Sequence, residues 1–92
     1  MNKDEKWMQI ALNEANLAMN ENEIPVGAVL VKNGKLIAQS HNQPIKTNDP
    51  TAHAEIQLLR KAGVQQKNYR LIGSTIYVTL EPCTMCFGAM VH

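Results

Sequence analysis

Two cysteines are too few for the disulfide framework that braces a small secreted domain, and their spacing, Cys83-Thr84-Met85-Cys86, points to metal or redox chemistry instead. No apolar run approaches the length that spans a bilayer. The first residues, Met1-Asn2-Lys3-Asp4-Glu5-Lys6, are charged where a secretory signal would build an apolar core, so a cytoplasmic chain without a membrane anchor is expected. Charge of one sign is missing too. Nine Lys and Arg against eight Asp and Glu leave +1, which gives no electrostatic argument for a nucleic-acid partner and forbids none. No repeat, linker or low-complexity stretch divides the 92 residues, so one small domain at most is expected. An apolar fraction of 45% is that of an ordinary globular chain and argues against disorder.

What is present reads as alternating helices and strands. Trp7, Ala11, Ala15 and Ala18 share one helical stripe, with Met8, Leu12 and Met19 beside it, which predicts a helix from about Lys3 to Asn20. Asn2 followed three residues later by Glu5 has the form of a capping box. Trp7 at helical spacing reads as core, not as a stacking platform for a base. Ile24 to Val31 is a nearly continuous apolar, valine-rich run, the pattern of a strand covered on both faces, with Pro25 at its start. Gly27 within it marks either close approach by a ligand or neighbouring backbone, or a bend or tight packing.

Asn33-Gly34 favours a type I′ turn and predicts a hairpin over residues 26–40. Ser40 to Pro50 has a loop composition. Asp49-Pro50 supplies an N-cap and a first-turn proline, and Gly63 a stop. Ala52, Ile56, Leu59 and Ala62 recur between them, which places His53 and Glu55 in the first turn of a helix. Thr75 to Leu80 reads as a second buried strand, and Pro82 as the opening of a third helix with Cys83 and Cys86 in its first turn. His41 and His92 read as surface residues.

His53, Glu55, Cys83 and Cys86 form the constellation that carries chemistry. A catalytic zinc site takes three protein ligands and keeps one position for water. His53, Cys83 and Cys86 supply the three, the cysteines on one face of a helix through their i, i+3 spacing. Exposed N–H groups at both helix N-termini favour thiolates over thiols. Two thiolates neutralise the dication, which still lowers the pKa of a bound water toward about 7. Glu55, two positions from His53, points elsewhere on the helix and is free to carry protons. The H-x-E…P-C-x-x-C pattern is a known signature of zinc nucleobase deaminases. Other readings stay open. The cysteines can be a redox pair, which leaves His53 and Glu55 without a role, or half of a structural zinc site whose other ligands come from a second chain. Glu55 can be an ordinary first-turn acid.

His53-Ala54-Glu55 together with Glu81-Pro82-Cys83-Thr84-Met85-Cys86 resembles the cytidine and deoxycytidylate deaminase superfamily. Ile24 to Val31, Asn48 to Ile56, Asn68-Tyr69-Arg70-Leu71 and Tyr77 to Cys83 are similar to the bacterial tRNA-specific adenosine deaminases within it, over essentially the whole chain. Bacterial guanine deaminases share something similar to Asp49 to Glu55. The resemblance implies an α/β fold, a three-layer α/β/α sandwich on a mixed sheet of strand order 2-1-3-4-5, with strands 1–3 present here. It implies one zinc ion per chain and hydrolytic deamination of adenosine to inosine at the wobble position of a tRNA anticodon. The adenosine would be flipped from a single-stranded loop, and the family enzyme is a homodimer. Asn42 and the backbone N–H of Ala54 are implied as substrate contacts. On this reading residues 1–92 are the N-terminal portion of a deaminase domain that is incomplete at its C-terminus. The alternatives are an inactive or weakly active zinc-binding fragment, and a deaminase of guanine or another nucleobase.

Overall fold

The computed structural model describes residues 3–67 and 73–79. Its elements in chain order are α1 (Lys3–Asn20), β1 (Gly27–Lys32), β2 (Lys35–His41), α2 (Pro44–Thr47), α3 (Ala54–Gln66) and β3 (Ser74–Val78). The expected capping residue Asn2, the Asn68 to Leu71 segment and the cysteine helix lie outside the described residues.

β1 is the middle strand of a sheet ordered β2-β1-β3, in agreement with the 2-1-3 part of the expected order. Both described pairings are antiparallel, with Ala28 opposite Ser40 on one side and Val78 on the other. Its unbroken apolar sequence has the predicted cause. Ala28 and Leu30 face one way, into a cluster with Ala54, Leu58 and Ala62 of α3. Val29 and Val31 face the other way, against Trp7 and Ala11 of α1. Neither face meets water, so no position needs a polar residue. The described residues thus form three layers: α1, sheet, α3. Fully buried side chains such as Leu30 and Leu58 each contribute about 1.5–3 kcal/mol through the water they shed.

The β1–β2 turn carries positive φ at both Asn33 (55°) and Gly34 (74°), as a type I′ turn requires. The pairing slips once, between Leu30 and Val31. On α1 the stripe of Trp7, Ala11, Ala15 and Ala18 is buried, whereas Leu12 and Met19 face outward. Trp7 is core, with the Lys6 ammonium 4.9 Å from the centre of its ring. The Tyr77 hydroxyl donates to Asp4 Oδ1 at 2.6 Å and so ties β3 to the first turn of α1.

Two boundaries differ from the sequence expectation. Residues 40–50 are not all loop: β2 runs on to His41, and Pro44–Thr47 makes one short helical turn capped by Asn48 in the left-handed conformation. The helix expected from Asp49-Pro50 begins at Ala54, with His53 as its N-cap residue. Asp49 is spent elsewhere, since its Oδ1 accepts from both the N–H (2.9 Å) and the hydroxyl (2.7 Å) of Thr51. Gly63 does not end the helix. The chain leaves at Lys67, in the left-handed region with φ 53°, whose N–H reaches the carbonyls of Gly63 and Val64.

Gly27 is resolved as tight packing. A Cβ there would lie 1.9 Å from Ala11 O and 2.6 Å from Ala15 N, both backbone atoms of α1. Gly27→Ala must push the helix off the strand, so it should destabilise the fold by about 3 kcal/mol or more. Chemical denaturation of the variant against the parent checks this, and equal midpoints would refute the close approach.

Candidate active site

The first turn of α3 gathers three of the residues singled out from sequence. His53 is the N-cap residue, extended at φ −72° and ψ 156°, and half-buried. Ala54 and Glu55 open the helix itself. Glu55 is only 4% exposed, and its carboxylate has no hydrogen-bond partner among the described residues. A carboxylate at this position gains from the positive end of the helix dipole. An acid so buried and so little engaged is rare in a purely structural role, since buried charges are ordinarily paired.

Asn42, the residue after β2, comes to the same point. Its side-chain Oδ1 accepts the Ala54 N–H at 2.7 Å, and both residues are buried. Ser40, two positions earlier on the same face of the strand, donates its hydroxyl to the Ala54 carbonyl. The peptide groups on either side of Ala54 Cα are therefore held by one strand end. The two groups expected to meet a substrate, the Asn42 side chain and the Ala54 N–H, meet each other in this structure.

The opposite face of the strand end is held as firmly. Gln39 Nε2 donates to Glu14 Oε2 at 3.0 Å, and His41 Nδ1 lies 2.9 Å from Glu14 Oε1. The other ring nitrogen of His41 lies 3.0 Å from Glu21 Oε1. The Gln43 amide nitrogen lies 3.4 Å from that second ring nitrogen as well. The His41 contact holds the Glu21 carboxyl below its ordinary value, aided by Lys46. Glu23, also buried, accepts the backbone N–H groups of Ile45 (3.2 Å) and Lys46 (2.8 Å).

His41 therefore corrects the surface reading made from sequence: it is buried, with a carboxylate at each ring nitrogen. One signal could have found it. Glu14 falls on the buried stripe of α1 beside Ala11, Ala15 and Ala18, and an acid there demands a buried partner.

The segment between the strand end and α3 is strapped along its length. The Gln43 N–H donates to Ala52 O at 2.9 Å, and Gln57 Nε2 donates to Gln43 Oε1 at 3.0 Å. Arg60 Nη1 reaches Asp49 Oδ2 at 3.3 Å. Among the described residues no group of three His, Cys, Asp or Glu side chains could by itself hold a metal ion. Cys83 and Cys86, the other two donors of the expected set, lie outside the described residues. An imidazole and two thiols form a donor set that zinc accepts with one position left over. His53 at the head of α3 suits that set.

The pattern of the cytidine and deoxycytidylate deaminase zinc-binding region matches residues 1–92, and the chain belongs to that family. It is 52% identical over 91 residues to a tRNA-specific adenosine deaminase of Buchnera aphidicola, covering 99% of this chain and 60% of that protein. With the Haemophilus influenzae protein of the same name it shares 54% over 90 residues, covering 97% of this chain and 52% of the other. The chain thus spans little more than half the length of these relatives.

Among solved structures, one from a study of A-to-I editing by tRNA:A34 deaminases superposes with a TM-score of 0.94 at 47% identity, covering 97% of this chain and 68% of that one. Guanine deaminase of Bacillus subtilis superposes at 0.92 with 40% identity, covering 99% and 58%. No helix among the described residues is long and apolar enough to cross a membrane.

Asp49 offers a direct check on the strapped segment. Its bonds to the Thr51 hydroxyl and N–H, with Arg60 beyond, hold its carboxyl below the ordinary value. The sign follows: the contribution of this turn is fully present above the unfolded-state value and is lost as pH falls through the lower folded one. A carbon-13 NMR titration of the Asp49 carboxyl should give a midpoint below the ordinary aspartate value. Thr51→Val should move it upward, and an unmoved midpoint would show that the turn does not set it.

Proposed function

We propose that this chain carries the zinc-binding and proton-transfer part of a tRNA adenosine deaminase that converts adenosine to inosine at the anticodon wobble position. One observation supports the chemistry above the rest: the Glu55 carboxylate, buried at the N-terminus of α3 two residues from His53, without a partner among the described residues. The substrate assignment is supported by identities near 50% to tRNA-specific adenosine deaminases along nearly all of this chain. His53, Cys83 and Cys86 would hold one zinc ion. When bound, zinc supplies Lewis acidity that brings water toward ionisation near neutral pH.

The remaining work falls to residues of the chain. Glu55 takes a proton from the attacking water and delivers it to N1 of adenine; as the C6–N bond breaks, it passes the proton of the new C6 hydroxyl to the amine, which leaves as ammonia. The adenine must leave its stack to reach such a site, which fits a single-stranded anticodon loop. Asn42, held against the head of α3 by its bond to the Ala54 N–H, is the polar side chain that would orient the base there, with the Ala54 backbone beside it. A homodimer and a cytoplasmic location belong to the same reading.

The experiment is inosine formation on an anticodon stem-loop, run beside a free-guanine assay and a metal analysis. The expected result is inosine production with about one zinc per chain, lost on chelation. Glu55→Gln should lower kcat by ~10²–10⁴-fold while zinc content stays the same. Guanine conversion without RNA conversion would move the substrate to a free base, as the Bacillus subtilis structure invites. Bound zinc without turnover of either would leave a zinc-binding fragment.

A further inference from the structure

Side chains alternate across the end of β2, and each face is bound to a different helix. Ser40 and Asn42 hold the backbone of Ala54 on the α3 side. Gln39 and His41 take both oxygens of Glu14 on the α1 side, and His41 continues to Glu21. Glu21 also accepts from the Lys46 ammonium at 3.3 Å, and Glu23 holds the backbone of Ile45 and Lys46. The turn after α1 therefore grips the chain both before and after Asn42. Among the described residues the main chain of Asn42 makes one bond of its own, its N–H to Val26 O at 3.1 Å, one step beyond the last strand pair, Gly27 and His41. A single bond at a strand end frays readily.

We propose that His41 is a positioning residue: its two carboxylate contacts fix the end of β2 against α1 and thereby set Asn42 against the head of α3. The proposal rests on the deaminase reading for its kinetic consequence, since Asn42 and Ala54 are the groups that would orient the base. Its structural consequence stands without that reading. Glu14 and Glu21 reach across from α1 and the turn that follows it, so the alignment of the α3 head depends on a helix on the opposite side of the sheet. Asn42 and Ala54 belong to binding, while His53 and Glu55 sit on a helix anchored separately by Leu58 and Ala62. Loss of His41 should therefore fall on KM more than on kcat.

The test measures amide hydrogen exchange and kinetics on the zinc-loaded full chain with His41→Ala, His41→Asn and Glu21→Gln. In His41→Ala the Ala54 amide should exchange about ten-fold faster or more, while Leu30 in the middle of β1 keeps its protection. KM for the anticodon stem-loop should rise about ten-fold with kcat little changed. His41→Asn places an amide nitrogen near the Nδ1 position, so it keeps the Glu14 bond and should recover most of the loss. Glu21→Gln, at a partly exposed position that tolerates the change, should shift both readouts in the same direction by less.

An unchanged Ala54 exchange rate in His41→Ala overturns the proposal. So does equal acceleration at Ala54 and Leu30, which would make His41 a general stability residue. If the parent protein turns over no RNA, the deaminase reading fails, while the exchange comparison still decides the role of His41.

Discussion

Ala11 O of α1 and the α-carbon of Gly27 are so close that any side chain at residue 27 would collide with the helix backbone. The remaining layers are stacked on that contact. α1 can lie directly on the sheet because its buried stripe is mostly alanine, and β1 can then be covered on its second face by α3. A strand closed on both sides holds its neighbours in register through its full ladder of hydrogen bonds. Thr79 reinforces the same place, donating its N–H to Gly27 O and accepting the Gly27 N–H on its hydroxyl, each at 3.1 Å. The tightest point of the fold is thus also where β1, β3 and α1 meet.

The end of β2 carries that rigidity to the head of α3. A strand projects successive side chains to opposite faces, so four consecutive polar residues, Gln39 to Asn42, can serve two helices at once. Two of them meet an acid on α1, and two meet the peptides that flank Ala54. Polar residues at a strand end usually face solvent. Here Ser40, His41 and Asn42 are buried, and each has its partners. The helix that carries His53 and Glu55 packs through Leu58 and Ala62, and the strand end binds only the backbone of Ala54 at its head, which leaves the Glu55 side chain unengaged among the described residues.

Local pattern made much of this legible. The alanine stripe of α1, the valine run of β1 and the Asn33-Gly34 turn each obey a period or a φ requirement that neighbours in sequence fully specify. The deviations involve partners that sequence neighbours cannot reveal. Asp49 looked like a helix cap because capping aspartates and Asx-turn aspartates precede the same residues, and only the Thr51 contacts separate them. His41 looked exposed because its acids lie 20 and 27 positions earlier. Gly63 looked like a stop, but glycine costs a helix interior only about 1 kcal/mol, which tertiary packing overrides. Of the candidate site, the His53 and Glu55 half was readable from spacing and now has a described setting. Cys83 and Cys86 were readable from spacing alone.

The two solved relatives bear on what the described backbone encodes. A structure from work on tRNA:A34 deaminases and a guanine deaminase superpose on this chain almost equally well. Adenosine in an anticodon and free guanine share little beyond an amino group on a purine ring carbon, and hydrolysis of that bond needs the same water and the same proton traffic. A common backbone is what the common step requires. In this chain that backbone places His53 and Glu55 at the start of α3. Discrimination between the bases must then come from side chains that face the purine, because a hydrogen-bonding group matched to one base leaves a buried polar atom unpaired with the other. On the proposed reading Asn42 would be such a group: its amide can both donate and accept, and its oxygen here is already given to Ala54. That leaves the amide nitrogen as the part of Asn42 free to read a ring acceptor without first breaking the contact that holds the helix head.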